Sequence, residues 1–75
     1  PSDVEIDLAV RNEKVILIEI KSSVSADNIL SFVRKAQLYE RKTGVKPSRL
    51  IVVTPYADEN AIKAASNLGV EIYSV

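Results

Sequence analysis

Three residues near the start of the chain have the types and spacing of a carboxylate–lysine metal site. Asp7 is followed by Glu19, and Lys21 lies two positions after Glu19. Glu19 interrupts the stretch VILIEIK (residues 15–21), which is otherwise apolar on both faces, so its carboxylate needs a cation or another partner to offset desolvation. Two carboxylates suit Mg²⁺ or Mn²⁺, and a neighbouring lysine can stabilise a hydroxide or a phosphoryl oxygen.

The two acids can share one ion if they face each other across paired strands. An antiparallel register with Asp7 opposite Glu19 also puts Glu5 opposite Lys21. A three-residue loop at 12–14 gives this register, whereas a two-residue loop would send Asp7 to the face away from Glu19. We therefore predict a three-residue loop, or a bulge that restores the alternation, with the two carboxylates about 5 Å apart.

A ladder of ion pairs on a solvated face is the other interpretation of these charges. It accounts for Glu5 opposite Lys21, but it leaves Asp7 and Glu19 in mutual repulsion. It also fails to explain why two apolar residues of the second strand share that face. We favour the metal-site interpretation, with Glu5 as a supporting residue.

The absence of several residue types narrows the chemistry further. The 75 residues include no Cys and no His, which excludes thiolate or imidazole zinc sites, a Cys nucleophile and a Ser-His-Asp triad. An apolar fraction of 47% is typical of a globular chain. No apolar run approaches the roughly 20 residues of a membrane span, and no signal-peptide pattern appears. We expect a cytoplasmic protein with no membrane partner.

Hydrophobic periodicity predicts six elements in the order β-β-α-β-α-β. Strands over residues 4–10 and 15–21, joined by a short turn, are expected to pair as an antiparallel hairpin, and the second of them reads as covered on both faces. Helix start and stop signals bound two helices. The remaining predicted elements are a helix from the N-cap Ser25 to about Thr43 before Gly44, a strand over 49–54, a helix from Asp58 to Gly69 and a strand over 70–73.

The predicted fold class is α/β with a mixed sheet, an antiparallel N-terminal hairpin followed by two right-handed β-α-β crossovers. The apolar face of the first helix is expected to consist of Ile29, Leu30, Val33, Ala36 and Gln37. Because Gln37 lies near the centre of that face, it needs a hydrogen-bond partner. That partner is either the site, which Gln37 would support, or the backbone or water.

The zero net charge conceals a separation of charge along the chain. Residues 1–20 carry five acids and two bases, and residues 34–49 carry six bases and one acid. A basic helix suits a phosphate backbone, although cations near a helix C-terminus are also favoured by the helix dipole alone. The candidate contacts to a DNA backbone are Ser22, Ser23, Arg34, Lys35, Arg41 and Lys42.

The motif of Asp7 followed by Glu19-Ile20-Lys21, on a strand–turn–strand unit before a helix and a strand, resembles the PD-(D/E)xK phosphodiesterase superfamily. Its members are the restriction-endonuclease-like nucleases, and the run VILIEIKSS is similar to the archaeal Holliday-junction-resolvase-like and RecB-like branch. The resemblance implies a restriction-endonuclease-like fold. It also implies that Asp7, Glu19 and the backbone carbonyl of Ile20 ligate Mg²⁺ or Mn²⁺ and that Lys21 is the catalytic lysine.

The chain departs from this family in two respects. The family core usually opens with a helix and a further strand, and we expect residues 1–75 to be a single nuclease-like domain without them. A second copy in a homodimer, or further segments of a longer parent chain, would then complete the sheet. In addition, Gln37 is followed by Arg41 at the spacing where the recombination-enzyme branch has Gln and Tyr.

The favoured function is metal-dependent hydrolysis of DNA phosphodiester bonds. The alternative is a non-catalytic nuclease-like module used for dimerisation or for docking to DNA or protein. A phospho-acceptor or signalling domain fits less well, because the acids lie on an early hairpin and not at the C-terminal ends of parallel strands.

Overall fold

Four strands and two helices form the part of the chain that the structure describes. This computed structural model describes the backbone of residues 5–11 and the whole of residues 14–75. The strands lie in one sheet in the order β1-β2-β3-β4, with β1 antiparallel to β2 and the other three strands mutually parallel. The elements are β1 (Glu5–Arg11), β2 (Lys14–Ile20), α1 (Ala26–Thr43), β3 (Arg49–Thr54), α2 (Glu59–Leu68) and β4 (Val70–Ser74).

Both helices begin and end at the residues that the sequence signals predicted. The Ser25 hydroxyl accepts a hydrogen bond from the Asn28 backbone N–H, and the Asn28 side chain accepts one from the Ser25 N–H, which makes a capping box. Asp58 caps α2 in the same position. Gly44 and Gly69 follow the two helices with φ of 75°, a left-handed conformation that costs glycine least.

Both helices pack on one face of the sheet. The buried cluster includes residues from each of the three parallel strands, among them Leu17 of β2, Val52 of β3 and Val70 of β4. The same cluster contains Ile29 and Phe32 of α1. Phe32 and Ile29 are fully buried. Helix α2 contributes two alanines to this cluster, which lets it approach closely. The full buried cluster is Val15, Leu17, Val24, Ile29, Phe32, Ala36, Val52, Ala61, Ala65 and Val70.

The opposite face of the sheet carries apolar residues that are only half-buried or exposed. Ile16, Ile18 and Ile51 are half-buried, and Ile20 and Tyr73 are exposed. The expectation that β2 is covered on both faces is therefore wrong for the described residues. The reason is that both helices contribute to a single buried cluster on one side of the sheet.

The predicted strand pairing requires correction. The parallel part of the sheet comprises three strands, β2, β3 and β4, and β1 joins its edge in a register one residue away from the predicted one. Ile6, and not Asp7, lies opposite Glu19, while Asp7 lies opposite Ile18. Arg11 pairs with the first residue of β2, so two residues and not three connect the paired ends.

Hydrophobic pairing explains the observed register. It sets Leu8 opposite Leu17 and Val10 opposite Val15, so residues of apolar type face each other across the ladder. The predicted register would have set an alanine and an arginine opposite those two residues of β2. Because a one-residue slip changes every pair of opposite residues, the matching of apolar residue types along the two strands sets the register more strongly than one pair of acids.

The predicted apolar face of α1 is also displaced. Ile29, Phe32 and Ala36 are the buried residues of the helix, whereas Leu30 is 40% exposed and Gln37 is exposed. The expectation that Gln37 lies at the centre of the apolar face is therefore wrong. The large ring of Phe32, fully buried in the core, explains the rotation of the helix toward that side.

Candidate metal and nucleic-acid site

Glu19 lies on the helix-covered face of the sheet and is almost completely buried. Its side chain is 3% exposed, and its neighbours on the same face of β2 and β3 are Leu17 and Val52, which are also buried. The alternation of β2 puts a carboxylate in line with core residues, as the sequence indicated. A charge in such surroundings is costly unless a cation compensates it.

The cation beside Glu19 comes from α1. The ammonium nitrogen Nζ of Lys35 lies 3.6 Å from Oε1 of Glu19. The Lys35 side chain is 45% exposed, so it extends from solvent to a buried carboxylate. We predicted Lys35 only as a contact to a DNA backbone. Lys35 lies three residues after Phe32 and four residues before the partly buried Tyr39. This spacing on a helix indicates a position at the margin of the core.

The Oε1 atom of Glu19 accepts no hydrogen bond from any residue that the structure describes. A buried carboxylate oxygen without a donor is uncommon, because buried polar atoms are normally paired. An oxygen ligand of this kind fits a hard divalent cation. In the described part of the chain, however, Glu19 belongs to no group of three or more acidic, His or Cys residues that could hold a metal ion.

The other predicted ligands are only partly described. The side chains of Glu5 and Asp7 lie outside the described residues, so their expected roles remain predictions. The register sets Glu5 opposite Ile20 and Asp7 opposite Ile18. Ile20, whose carbonyl is a predicted ligand, is the last residue of β2 and its side chain is 44% exposed.

Lys21 and the two serines after it lie at the C-terminal end of β2. Lys21 is half-buried, and its backbone N–H donates to the carbonyl of Val53 at 3.0 Å, which continues the pairing of β2 with β3. Ser22 and Ser23 are exposed. The following residue, Val24, is buried and bridges to Ala57, so the chain segments after β2 and after β3 run side by side.

Basic residues follow the exposed surface of α1. Arg34, Lys35, Arg41 and Lys42 are all exposed. Arg34 and Arg41 are seven residues apart, which is about two helical turns, and the same holds for Lys35 and Lys42. The two members of each pair therefore lie on the same side of the helix. Lys35 and Lys42 line a cavity of about 250 Å³ together with Leu17, Leu38 and Tyr39.

Gln37 lies elsewhere. It lines a second cavity of about 240 Å³ whose other members include Val33, Glu40 and Leu50. Neither Glu19 nor Lys35 lines that cavity. Of the predicted site residues on α1, the structure therefore brings Lys35 next to Glu19 and puts Gln37 in a different cavity.

A second charged cluster, which we did not predict from the sequence, lies on the other face of the sheet. Arg49 donates two hydrogen bonds to the carboxylate of Glu71 and one to the hydroxyl of Tyr73. The hydrogen bonds from Arg49 lower the pKa of Glu71 to about 2. The same contacts raise the pKa of Arg49. The signal that would reveal this cluster is the pairing of β3 with β4, which brings position 49 near position 71.

The sequence is similar to a known protein family over most of its length. A model described as the PD-(D/E)XK nuclease superfamily matches residues 2–71, which is most of the chain. The chain belongs to this superfamily. The match confirms the resemblance seen in the motif of Asp7, Glu19 and Lys21. A comparison with curated proteins found no match.

Two solved structures share the fold of this superfamily member. One is described as the structure of EndoMS in apo form, with a TM-score of 0.80 and 16% identity over 99% of this chain. The other is a repair endonuclease from Pyrococcus abyssi, with a TM-score of 0.76 and 20% identity over 91% of this chain. The chain spans about a third of the length of each, since the matches cover 33% and 30% of those chains.

Neither helix in the described part of this superfamily member is both long and apolar enough to cross a membrane. The longer helix, α1, is amphipathic and carries the basic residues described above.

Proposed function

We propose that this chain is a metal-dependent nuclease module that hydrolyses DNA phosphodiester bonds. The observation that carries the proposal is the buried carboxylate of Glu19, whose Oε1 atom has no hydrogen-bond donor among the described residues, within the superfamily's Glu-x-Lys motif. A structural glutamate would be expected to have its oxygens paired. Glu19, Asp7 and the carbonyl of Ile20 would hold Mg²⁺ or Mn²⁺, and their oxygen atoms are the ligand type that such ions prefer.

Each residue of the site has a separate part in the reaction. When bound, Mg²⁺ or Mn²⁺ supplies Lewis-acid chemistry and a water of lowered pKa. Glu19 contributes an anchored negative charge, because burial between Leu17 and Val52 keeps its side chain in place. Lys21 is held at the end of β2 by its backbone hydrogen bond to Val53, and its ammonium stabilises the negative charge that develops on the phosphate.

Participation of Asp7 requires a local change in β1. In the observed register Asp7 lies opposite Ile18, one position away from the partner of Glu19. A one-residue bulge in β1 would shift the alternation of the strand and bring Asp7 opposite Glu19. In this proposal, Asp7→Asn weakens Mn²⁺ binding, whereas Asp27→Asn at the exposed start of α1 leaves it unchanged.

DNA is the proposed substrate, and α1 is its proposed contact. One of the two similar structures is a repair endonuclease, which supports a nucleic-acid substrate for this fold. The exposed basic residues Arg34, Lys35, Arg41 and Lys42 would contact phosphates, a mode of binding that is independent of base sequence. Ser22 and Ser23, at the end of β2, are further candidate phosphate contacts.

The test is cleavage of plasmid, mismatched and junction DNA by the purified 75-residue chain with Mg²⁺ or Mn²⁺. Loss of the buried carboxylate in Glu19→Gln, or of the ammonium in Lys21→Ala, is expected to lower the cleavage rate by about 10²–10³-fold. The matched controls are Glu59→Gln and Lys63→Ala on α2, both exposed and remote in sequence from the motif. Cleavage that survives Glu19→Gln would refute the assignment.

The second candidate function is a non-catalytic module of the same fold, used for dimerisation or for docking. The observations that favour it are the register of Asp7 with Ile18 and the cation that Glu19 already has in Lys35. A titration with Mn²⁺ separates the two functions. Wild-type protein that binds Mn²⁺ no more tightly than Glu19→Gln is a docking module and not a metal-dependent nuclease.

A further inference from the structure

We propose that Lys35 is a positioning residue that acts as an internal counter-ion for Glu19 and competes with the divalent metal for the same carboxylate. Since this inference rests on the proposed function, it concerns the metal-free state of that site. In the metal-free protein, the Lys35 ammonium compensates the buried charge. When a metal ion binds Glu19, Lys35 leaves the carboxylate.

The contact has the geometry of a replaceable partner. The Nζ–Oε1 distance of 3.6 Å exceeds the roughly 2.7–2.9 Å of a short charge-assisted hydrogen bond. Oε1 therefore has a nearby positive charge but no hydrogen bond from the part of the chain that the structure describes. A contact that is mainly electrostatic compensates Glu19 without filling its coordination positions.

The two partners differ in their freedom to move. Glu19 is 3% exposed and fixed among core residues, whereas the side chain of Lys35 is 45% exposed. A lysine side chain can keep its stem on the protein surface while its ammonium turns toward water. Lys35 can therefore leave the carboxylate while its stem stays on the surface of α1.

The surroundings of Lys35 provide room for this movement. Lys35 lines a cavity of about 250 Å³ with Leu38, Tyr39 and Lys42, and the lining residues that the structure describes include no acid. Among them, no other carboxylate would hold the released ammonium in a second ion pair. The helix itself stays in place, because Phe32 and Ala36 on either side of Lys35 are buried against the sheet.

This competition makes a quantitative prediction for metal affinity. If Lys35 occupies Glu19 in nine of ten metal-free molecules, the apparent metal affinity is reduced about tenfold. Removing the Lys35 ammonium should therefore raise the apparent metal affinity by the same factor. A general loss of positive charge would have a smaller effect, because an exposed charge at greater distance is screened by salt.

The experiment is a Mn²⁺ titration of the 75-residue chain, followed by electron paramagnetic resonance of the free ion. Lys35→Met should bind Mn²⁺ about tenfold more tightly than wild type, and Lys35→Arg, which keeps the charge, should bind close to wild type. Lys42→Met is the matched control, because it removes the same charge from the same helix and cavity. Equal affinities of Lys35→Met and Lys42→Met would overturn the inference.

A second measurement uses the wild-type protein and does not depend on the folding of a variant. The Nζ resonance of Lys35 is followed by NMR during addition of Mg²⁺, with Lys63 of α2 as the reference. We expect the Lys35 signal to shift as Mg²⁺ saturates the site and the Lys63 signal to stay unchanged. Saturation, reported by the Ile20 amide, without a shift of Lys35 would overturn the inference.

Failure of the inference and failure of the proposed function give different results. If wild type, Lys35→Met and Lys42→Met all fail to bind Mn²⁺, the metal-dependent function is refuted. The proposed competition between Lys35 and the metal ion is then refuted as well. If all three bind Mn²⁺ with the same affinity, the nuclease proposal stands and only the role of Lys35 is refuted.

Discussion

The guanidinium of Arg49 binds both carboxylate oxygens of Glu71, through Nε at 2.8 Å and Nη2 at 2.6 Å. Tyr73 completes the cluster, since its hydroxyl accepts from Arg49 and donates to Glu71. The three side chains connect β3 with β4 at the edge of the sheet. Paired hydrogen bonds of this kind are more specific in geometry than a single lysine contact.

The Arg49–Glu71 pair predicts a pH dependence of stability. Arg49 holds the pKa of Glu71 at about 2, below its ordinary value of 4.5. The unfolded state therefore binds more protons between these two values, and the contribution of the pair is complete above pH 4.5 and lost as the pH falls toward 2. At pH 6 we expect the melting temperature of wild type, measured by circular dichroism, to be higher than that of Glu71→Gln. This difference in melting temperature should shrink between pH 4.5 and 2.

The control for this prediction is Glu59→Gln, which removes an exposed acid from the first turn of α2. Its difference in melting temperature from wild type should not follow the same profile between pH 4.5 and 2. A Glu71→Gln difference that stays constant over that range would show that the pair does not stabilise the fold.

Phe32 and Leu30 provide a comparison of two large apolar residues on the same helix. Phe32 is fully buried and Leu30 is 40% exposed. Phe32→Ala should reduce the free energy of unfolding by about 3–5 kcal/mol, because it leaves a cavity in the core. Leu30→Ala should change it by about 0.5 kcal/mol or less. Urea unfolding of both variants measures the difference, and equal effects would contradict the observed orientation of α1.

Thr54 is a buried hydroxyl that organises the turn after β3. Its Oγ1 accepts from the Tyr56 N–H at 3.2 Å and donates to the Tyr56 carbonyl at 3.0 Å. Thr54→Val keeps the shape but leaves the Tyr56 N–H without its acceptor, while the Tyr56 carbonyl keeps its hydrogen bond from the Val24 N–H, so the substitution should cost about 1–3 kcal/mol. Thr43 makes the same two kinds of hydrogen bond at the exposed end of α1. Thr43→Val should cost less, since water can replace its hydroxyl; chemical denaturation compares the two.

Binding of DNA by α1 should depend strongly on salt. Arg34→Ala and Arg41→Ala should each weaken the binding of duplexes of any sequence and reduce the slope of log K against log salt by about 1. Lys63→Ala on α2 is the control and should leave the slope unchanged. Fluorescence anisotropy in EDTA, over a range of NaCl concentrations, measures the slopes without cleavage. Unchanged slopes for both arginine variants would remove α1 as the contact surface.

The sequence predicted the helices of this fold more accurately than the sheet. The capping residues Ser25 and Asp58 and the terminal Gly44 and Gly69 are local signals, and each acts within a few residues of its own position. The register of β1 is not local. We derived it from the expectation that Asp7 faces Glu19, whereas the pairing of apolar residues in the two strands determined it.

Only part of the candidate site could be predicted, and the reason is the same difference between local and non-local signals. The burial of Glu19 follows from the alternation of a single strand, which the sequence displays directly. The contact with Lys35 depends on the rotation of α1, and that rotation depends on how the fully buried Phe32 fits against the sheet. A sequence shows which residues are apolar but not which of several adjacent ones is the most deeply packed.

The order of the strands in the sheet is the order of the strands in the chain. Each strand therefore lies beside the one synthesised immediately before it, and no described strand inserts between two that are already paired. Domains that emerge from the ribosome fold from the N-terminal side as their segments become available. This domain can add β2, β3 and β4 one after another during translation, with each helix covering the sheet before the next strand arrives.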